Sequence, residues 1–192
     1  MGLLTITQRK EYFQKLKLGE YNKTNIRKFQ QKYFKRHVDI DGIYGFDTDK
    51  LLRHVYNCSA INNIRNFSPE EFKCDCGGKY CTGYPDYMKL NTLKFMQRIR
   101  DYTGKPMIIT SGLRCKNQNR IDGGVSNSKH LTGKACDYFI SGQTSTLAGR
   151  KKLINIIKEW KNHDYSYCWG YNSNGDNIYN PNMGNAVHTQ TK

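Results

Sequence analysis

The stretch SKHLTGKACDYFI, residues 128–140, constrains this chain more than any other. It runs from a polar loop through Gly133 into an alternating, largely apolar segment that reads as a strand. His130 and Asp137 lie seven residues apart, whereas ligand pairs on one helix usually sit three or four apart. A turn at Thr132–Gly133 brings both side chains back toward one point. Asp137 falls inside a half-buried strand, where an unpartnered carboxylate is strongly disfavoured by desolvation. A divalent metal, an arginine or a backbone turn would each relieve it. Alternation turns Asp137 and Cys136 to opposite faces, which argues against Cys136 as a ligand.

A metal would need a third protein ligand. The other histidines are His37, His54, His163 and His188. His37 and His54 fall in the N-terminal part. His163 stands in a polar run just past a helix end, an ordinary place for a cation. His188 lies in NAVHTQT, a strand that can run beside that of Asp137, and is the best candidate. SGLRCKNQN (111–119) follows the strand-like MIITS directly, and its Arg114 is suited to bind a carboxylate or stabilise an oxyanion.

The remaining pattern alternates helices and strands without a regular βαβ rhythm, which gives an α+β fold. Helices are expected over 25–36, from an Asp47 or Thr48 cap through DKLLRHVY, over 85–104 with Gly104 as its stop, and over 147–160. Strands are expected at 107–111, 135–140, 165–170 and 185–191. Residues 1–58 read as a small helical module, the Asn-rich 59–67 as a linker, and 67–192 as the second domain. Such a module needs docking for stability.

With 31 Lys+Arg against 16 Asp+Glu, the net charge is +15, spread along the chain without a basic block. That field attracts polyanions. Nucleic acid would be one, but there is no recognisable module or Arg/Lys-rich helix for it. No apolar run reaches the length of a membrane span or a secretory signal, so synthesis in the cytoplasm with no membrane insertion is expected. The seven cysteines are an odd number, against a full disulfide framework. Cys74, Cys76 and Cys81 cluster in KCDCGGKYC, either as ligands of a structural metal lacking a clear fourth partner or as free thiols at a Gly77–Gly78 turn.

The segment SGLRCKNQNRIDGGVSNSKHLTGKACD resembles the signature of the M15 zinc peptidases of the D-Ala-D-Ala carboxypeptidase type. The residues carrying the likeness are Ser111, Gly112, Arg114, Asn119, Gly123, Gly124, Ser128, His130, Gly133, Ala135 and Asp137. FSPEEFKCDCGG (67–78) resembles the opening of that domain. The resemblance implies an antiparallel sheet and Zn2+ held by His130, Asp137 and His188. It also implies Arg114 acting on the substrate carbonyl or oxyanion, and Ser128 positioning the peptide. KFQQKYF and DGIYGFDTDKLL are similar to elements of the small helical peptidoglycan-binding domain. Together these imply a monomeric cell-wall hydrolase acting on peptidoglycan, similar to phage endolysins that reach the wall through a separate membrane lesion. Many relatives carry an acid shortly before or after the last histidine, where this chain has Asn185 and Gln190. The nearest upstream acid, Asp176, is either the general base or a turn residue of NGDN.

Overall fold

The computed structural model describes residues 2–192. Three helices open the chain: α1 (Ile6–Lys15), α2 (Lys23–Tyr33) and α3 (Phe46–Asn57). A reciprocal Thr5–Gln8 capping box starts α1. Phe13, Ile26, Phe29, Leu51, Leu52 and Val55 are buried from these helices. Between α2 and α3 the loop DGIYG is organised by Gln30, which is 1% exposed. Its amide nitrogen, with two hydrogens shared among three acceptors, lies 3.0 Å from each of Asp41 Oδ1, Ile43 O and Thr48 Oγ1, and its oxygen accepts the Gly42 N–H at 2.7 Å. Thr48 is therefore spent inside the loop. Helix α3 starts earlier than expected, at Phe46, with Gly45 in the cap position and Asp47 and Asp49 in the first turn, where the helix dipole favours them.

Residues 59–67 run along the surface and are pinned at two points, with Ile64 and Phe67 buried while Ala60, Ile61, Asn63, Arg65 and Asn66 stay exposed. One hydrophobic cluster runs from Leu4 and Phe13 through Phe67, Phe72 and Met96 to Val187. His54 of α3 sits at the junction, fully buried. Its Nδ1 accepts the Met88 N–H at 3.2 Å, so its Nε2 carries the proton and donates to Pro69 O at 2.9 Å. Asn57 adds a bond to Met88 O at 3.0 Å. These bonds hold 85–89 out of helical conformation. Helix α4 consequently spans Leu90–Thr103, starting later than the periodicity suggests and ending at left-handed Gly104.

The rest of the chain is α+β: β1 (Met107–Ser111), α5 (Lys116–Ile121), β2 (Ala135–Ile140), α6 (Leu147–Ile157), β3 (His163–Cys168), β4 (Tyr171–Asn172) and β5 (Val187–Thr191). The sheet has the order β1-β2-β5-β3-β4, and every pairing is antiparallel. Cys136, Tyr138, Ile140, Cys168 and Val187 share one face and pack with Leu93, Met96, Ile99, Leu153, Ile154 and Ile157 of α4 and α6. The opposite face is the open one. His163 is not a helix-end cation: it begins β3, is buried, and meets Ser166 Oγ through Nε2 at 2.9 Å.

Burial depresses the His54 imidazole to about 4, against 6.5 when free. Below about pH 6.5 the unfolded chain takes up a proton that the folded chain refuses until about pH 4. Stability therefore falls with pH across this window, by up to about 3 kcal/mol from this group. Urea denaturation at pH 7 and pH 4.5 should show a steeper loss for wild type than for His54→Gln; equal losses would contradict the assignment.

Candidate metal centre

A single row of paired residues crosses the open face of the sheet. Ser111 on β1 faces Asp137 on β2, Asp137 faces His188 on β5, His188 faces Tyr167 on β3, and Tyr167 faces Asn172 on β4. Residues opposite one another in adjacent strands point to the same face. The register thus delivers Asp137 and His188 side by side. A bulge between Ile109 and Ser111 ends the regular β1 pairing beside them.

His130 arrives from the loop before β2. It lies in a 3-10 turn, Lys129–Thr132, closed by Gly133. Gly133 has φ +66°, and a Cβ there would collide with the Tyr87 carbonyl, so only glycine suits both the turn and the close approach. The His130 Nδ1 lies 2.6 Å from Gly112 O. A carbonyl oxygen only accepts, so Nδ1 carries the proton and Nε2 presents its lone pair to the site. Gly112 is itself wedged against the backbone of Phe72, where a Cβ would approach within 2.6 Å.

The three predicted ligands converge. His188 Nδ1 is 2.6 Å from Asp137 Oδ1, His130 Nε2 is 3.2 Å from His188 Nδ1, and His130 Nε2 is 3.4 Å from Asp137 Oδ1. All three residues are buried, at 2%, 6% and 4% exposure for His130, Asp137 and His188. The arrangement is short of protons: His130 Nε2 and the carboxylate are acceptors, and His188 Nδ1 has at most one proton to offer both. His188 Nε2 is buried with no partner. A triangle with these edges admits a point about 2.0–2.1 Å from all three atoms, the bonding distance of zinc to nitrogen and oxygen ligands. The donor set and its geometry fit a zinc ion.

Burial opposes ionisation of Asp137, but protonated His130 and His188 rings outweigh it and hold the carboxyl well below the usual carboxylate range. Burial pushes the His188 imidazole down, against the pull of Asp137, favouring its neutral form. Arg114 fixes the carboxylate from the other side: its Nη2 donates to Asp137 Oδ2 at 2.6 Å and its Nε to Ser111 Oγ at 2.8 Å. That bond leaves Oδ1 turned toward the histidines. Asp122 Oδ2 lies 3.3 Å from Arg114 Nε.

The site opens into a cleft of about 770 Å³. Arg114 and Asp137 line it together with Asp75, Asp122, Tyr167 and Asn185. Tyr167 packs against His188 with its ring tilted by 33° and the centroids 4.6 Å apart. The sequence pattern exposed neither Tyr167 nor Asp75 as a site residue; only the register and the chain path bring them here. Ser128 stands at the start of the 3-10 turn, half-buried, with its side chain making no capping bond, and is not among the cleft-lining residues. Asp176 is tied into its turn by Asn172, whose Nδ2 donates to Asp176 Oδ2 at 3.0 Å and whose Oδ1 accepts the Asp176 N–H. Asn185 Oδ1 accepts from Arg150 Nη1 at 2.8 Å.

Replacing Arg114 by Gln should release Asp137 and weaken zinc binding to the metal-free protein about 10- to 100-fold, as is usual for the partner of a ligand. Isothermal titration of the metal-free chain measures this, and an unchanged affinity would show that Arg114 does not hold the ligand.

The peptidase M15 family profile matches residues 65–168, which include His130 and Asp137 and stop before His188. A zinc D-Ala-D-Ala carboxypeptidase of Streptomyces albus G is 26% identical over 166 residues, covering 83% of this chain. The chain spans about 59% of that relative's length. With the family profile matching over half of its residues around this site, the chain belongs to the peptidase M15 family.

Proposed function

We propose that the protein is a zinc-dependent peptidase that hydrolyses stem peptides of peptidoglycan, by D-Ala-D-Ala carboxypeptidase or L-Ala-D-Glu-type endopeptidase action. The observation that carries this reading is the convergence of His130, Asp137 and His188 beside an open cleft. The relative described as a zinc D-Ala-D-Ala carboxypeptidase supports it. A zinc ion held there would polarise a peptide carbonyl and make water nucleophilic near neutral pH.

The protein's own groups set the conditions for that chemistry. The Gly112 carbonyl keeps the His130 ring in the tautomer that offers Nε2. Arg114 keeps Asp137 oriented, and its guanidinium edge on the cleft is placed to attract a substrate carbonyl or a developing oxyanion. A part for Ser128 in positioning the peptide rests on the family resemblance, since Ser128 does not line the cleft. Asn185 and Gln190 cannot take up a proton, so the base is sought among the carboxylates of the cleft. Asp122 is engaged by Arg114 and by Gln118 Nε2 at 2.7 Å. Asp75, which lines the same cleft, is the alternative. In this reading Asp75 receives the proton from the attacking water.

Residues 1–58 serve as a wall-binding module, and the net charge of +15 holds the protein on anionic wall polymers rather than on nucleic acid. The 83% coverage by the carboxypeptidase is more than residues 65–192 alone could supply, so that likeness extends into the N-terminal helices. Among the described residues no helix is long and apolar enough to cross a membrane. The reading is that of a monomeric, endolysin-like enzyme made in the cytoplasm and delivered to the wall by phage-type lysis. A second reading, a wall-binding protein with an inactive peptidase domain, is favoured by Asn185 and Gln190, neither of which can take up a proton, and by the engagement of Asn185 Oδ1 with Arg150.

Purified peptidoglycan should release peptides with wild-type protein, cease to do so after chelation, and do so again on adding zinc. His130→Ala should abolish the release, and mass spectrometry of the fragments identifies the bond. Retention on the wall without release, at full zinc occupancy, would instead establish the binding protein. Asp75→Asn should lower kcat by about 10²–10⁴-fold with the zinc content of the His130 site unchanged; an unaffected kcat would exclude Asp75 as the base.

A further inference from the structure

Four cysteines gather at a second place, away from the His–Asp–His centre. Cys74, Cys76 and Cys81 come from the loop 73–83, and Cys115 caps α5. Their sulfurs all lie within 4.8 Å of one another, with Cys76 Sγ and Cys81 Sγ at 3.4 Å. The fourth partner missing from KCDCGGKYC in sequence is thus supplied by the loop after β1, forty-one residues after Cys74.

Three features separate this group from ordinary buried thiols. Cys58, Cys136 and Cys168 pack into the main hydrophobic core, whereas these four cluster only with each other. Backbone N–H groups point at their sulfurs: Cys115 N–H at Cys74 Sγ (3.3 Å), Gly83 N–H at Cys81 Sγ (3.4 Å) and Gln118 N–H at Cys115 Sγ (3.4 Å). Such donors favour thiolates over thiols and are usual around metal-bound sulfur. Gly77 and Gly78, at φ +64° and +90°, make the tight reversal that returns Cys81 to Cys74 and Cys76. Zinc with four sulfurs at about 2.3 Å sets them about 3.8 Å apart in a tetrahedron, close to the spacing already present.

We propose that Cys74, Cys76, Cys81 and Cys115 form a structural tetrathiolate zinc site, distinct from the His130–Asp137–His188 centre. Binding releases the thiol protons to solvent and requires no oxidant. A closed four-sulfur site leaves no position for water or substrate, so its role is structural. It fastens the 73–83 loop to the residue following Arg114, and thereby steadies the segment that holds Asp137 and His130.

The test uses the full chain, purified under reducing conditions and exchanged into zinc. Elemental analysis should give two zinc ions per wild-type chain, one for His130→Ala, and one for Cys81→Ser or Cys115→Ser. Because a cysteine variant can fail to fold, wild-type protein is also loaded with cobalt. A thiolate-to-cobalt charge-transfer band, retained in His130→Ala, supports the site, as does zinc protection of four of the seven thiols from alkylation. A single zinc that vanishes in His130→Ala, with no sulfur band, overturns the proposal. So does a mass lower by four hydrogens in a parallel preparation made without reductant, which would show two disulfides instead. One zinc accompanied by the sulfur band upholds this site and counts only against the His–Asp–His one.

Discussion

The buried carboxylate of Asp137 is the interaction around which the peptidase part is arranged. Placed in the second strand of a five-stranded sheet, it needs partners on every side. Arg114 takes one oxygen, and the two histidines share the other. Each partner in turn requires a particular piece of backbone. His130 needs the Gly112 carbonyl, Gly112 needs the absence of a side chain against Phe72, and His188 needs the antiparallel register of β2 with β5. A cation at this point answers several unsatisfied acceptors at once, which explains why so polar a group is kept in so dry a place.

Much of this was legible in the chain. The turn at Gly133 and the strand after it follow from residue type and alternation, and they put His130 and Asp137 on a common point. The pairing of Asp137 with His188 was readable only as a plausible neighbour, because no local rule fixes which strands adjoin across fifty residues. Arg114 was legible as a functional group, but its bond to Asp137 Oδ2 was not. Asp75, Tyr167 and Cys115 were silent because their roles depend on where loops return in space. Helix starts differ from expectation where tertiary bonds override propensity: Gln30 draws Thr48 into the preceding loop, and His54 and Asn57 hold Met88 outside the helix.

The N-terminal helices carry a similar lesson about size. Taken alone, α1 to α3 bury a handful of apolar side chains, little for independent stability. Docked, they share one core with the sheet, and His54 contributes both ring nitrogens to the junction. In the proposed wall-binding role the module is therefore held in a fixed orientation to the cleft, rather than roaming on a flexible leash.

The segment 112–115 is committed residue by residue. Gly112 O meets His130, Leu113 N–H meets Phe72 O, Arg114 N–H meets His130 O, and Cys115 N–H meets Cys74 Sγ. The rim of the cleft is different: its loops, around 121–124 and 180–186, contribute lining side chains but no member of the ligand row. The architecture thus divides into a part that tolerates almost no drift and a rim that is free to vary only outside contacts such as Gly124 against Asn119 and Asn185 with Arg150. Descendants of such a chain can acquire new substrate preferences by rewriting the rim while inheriting the catalytic floor unchanged.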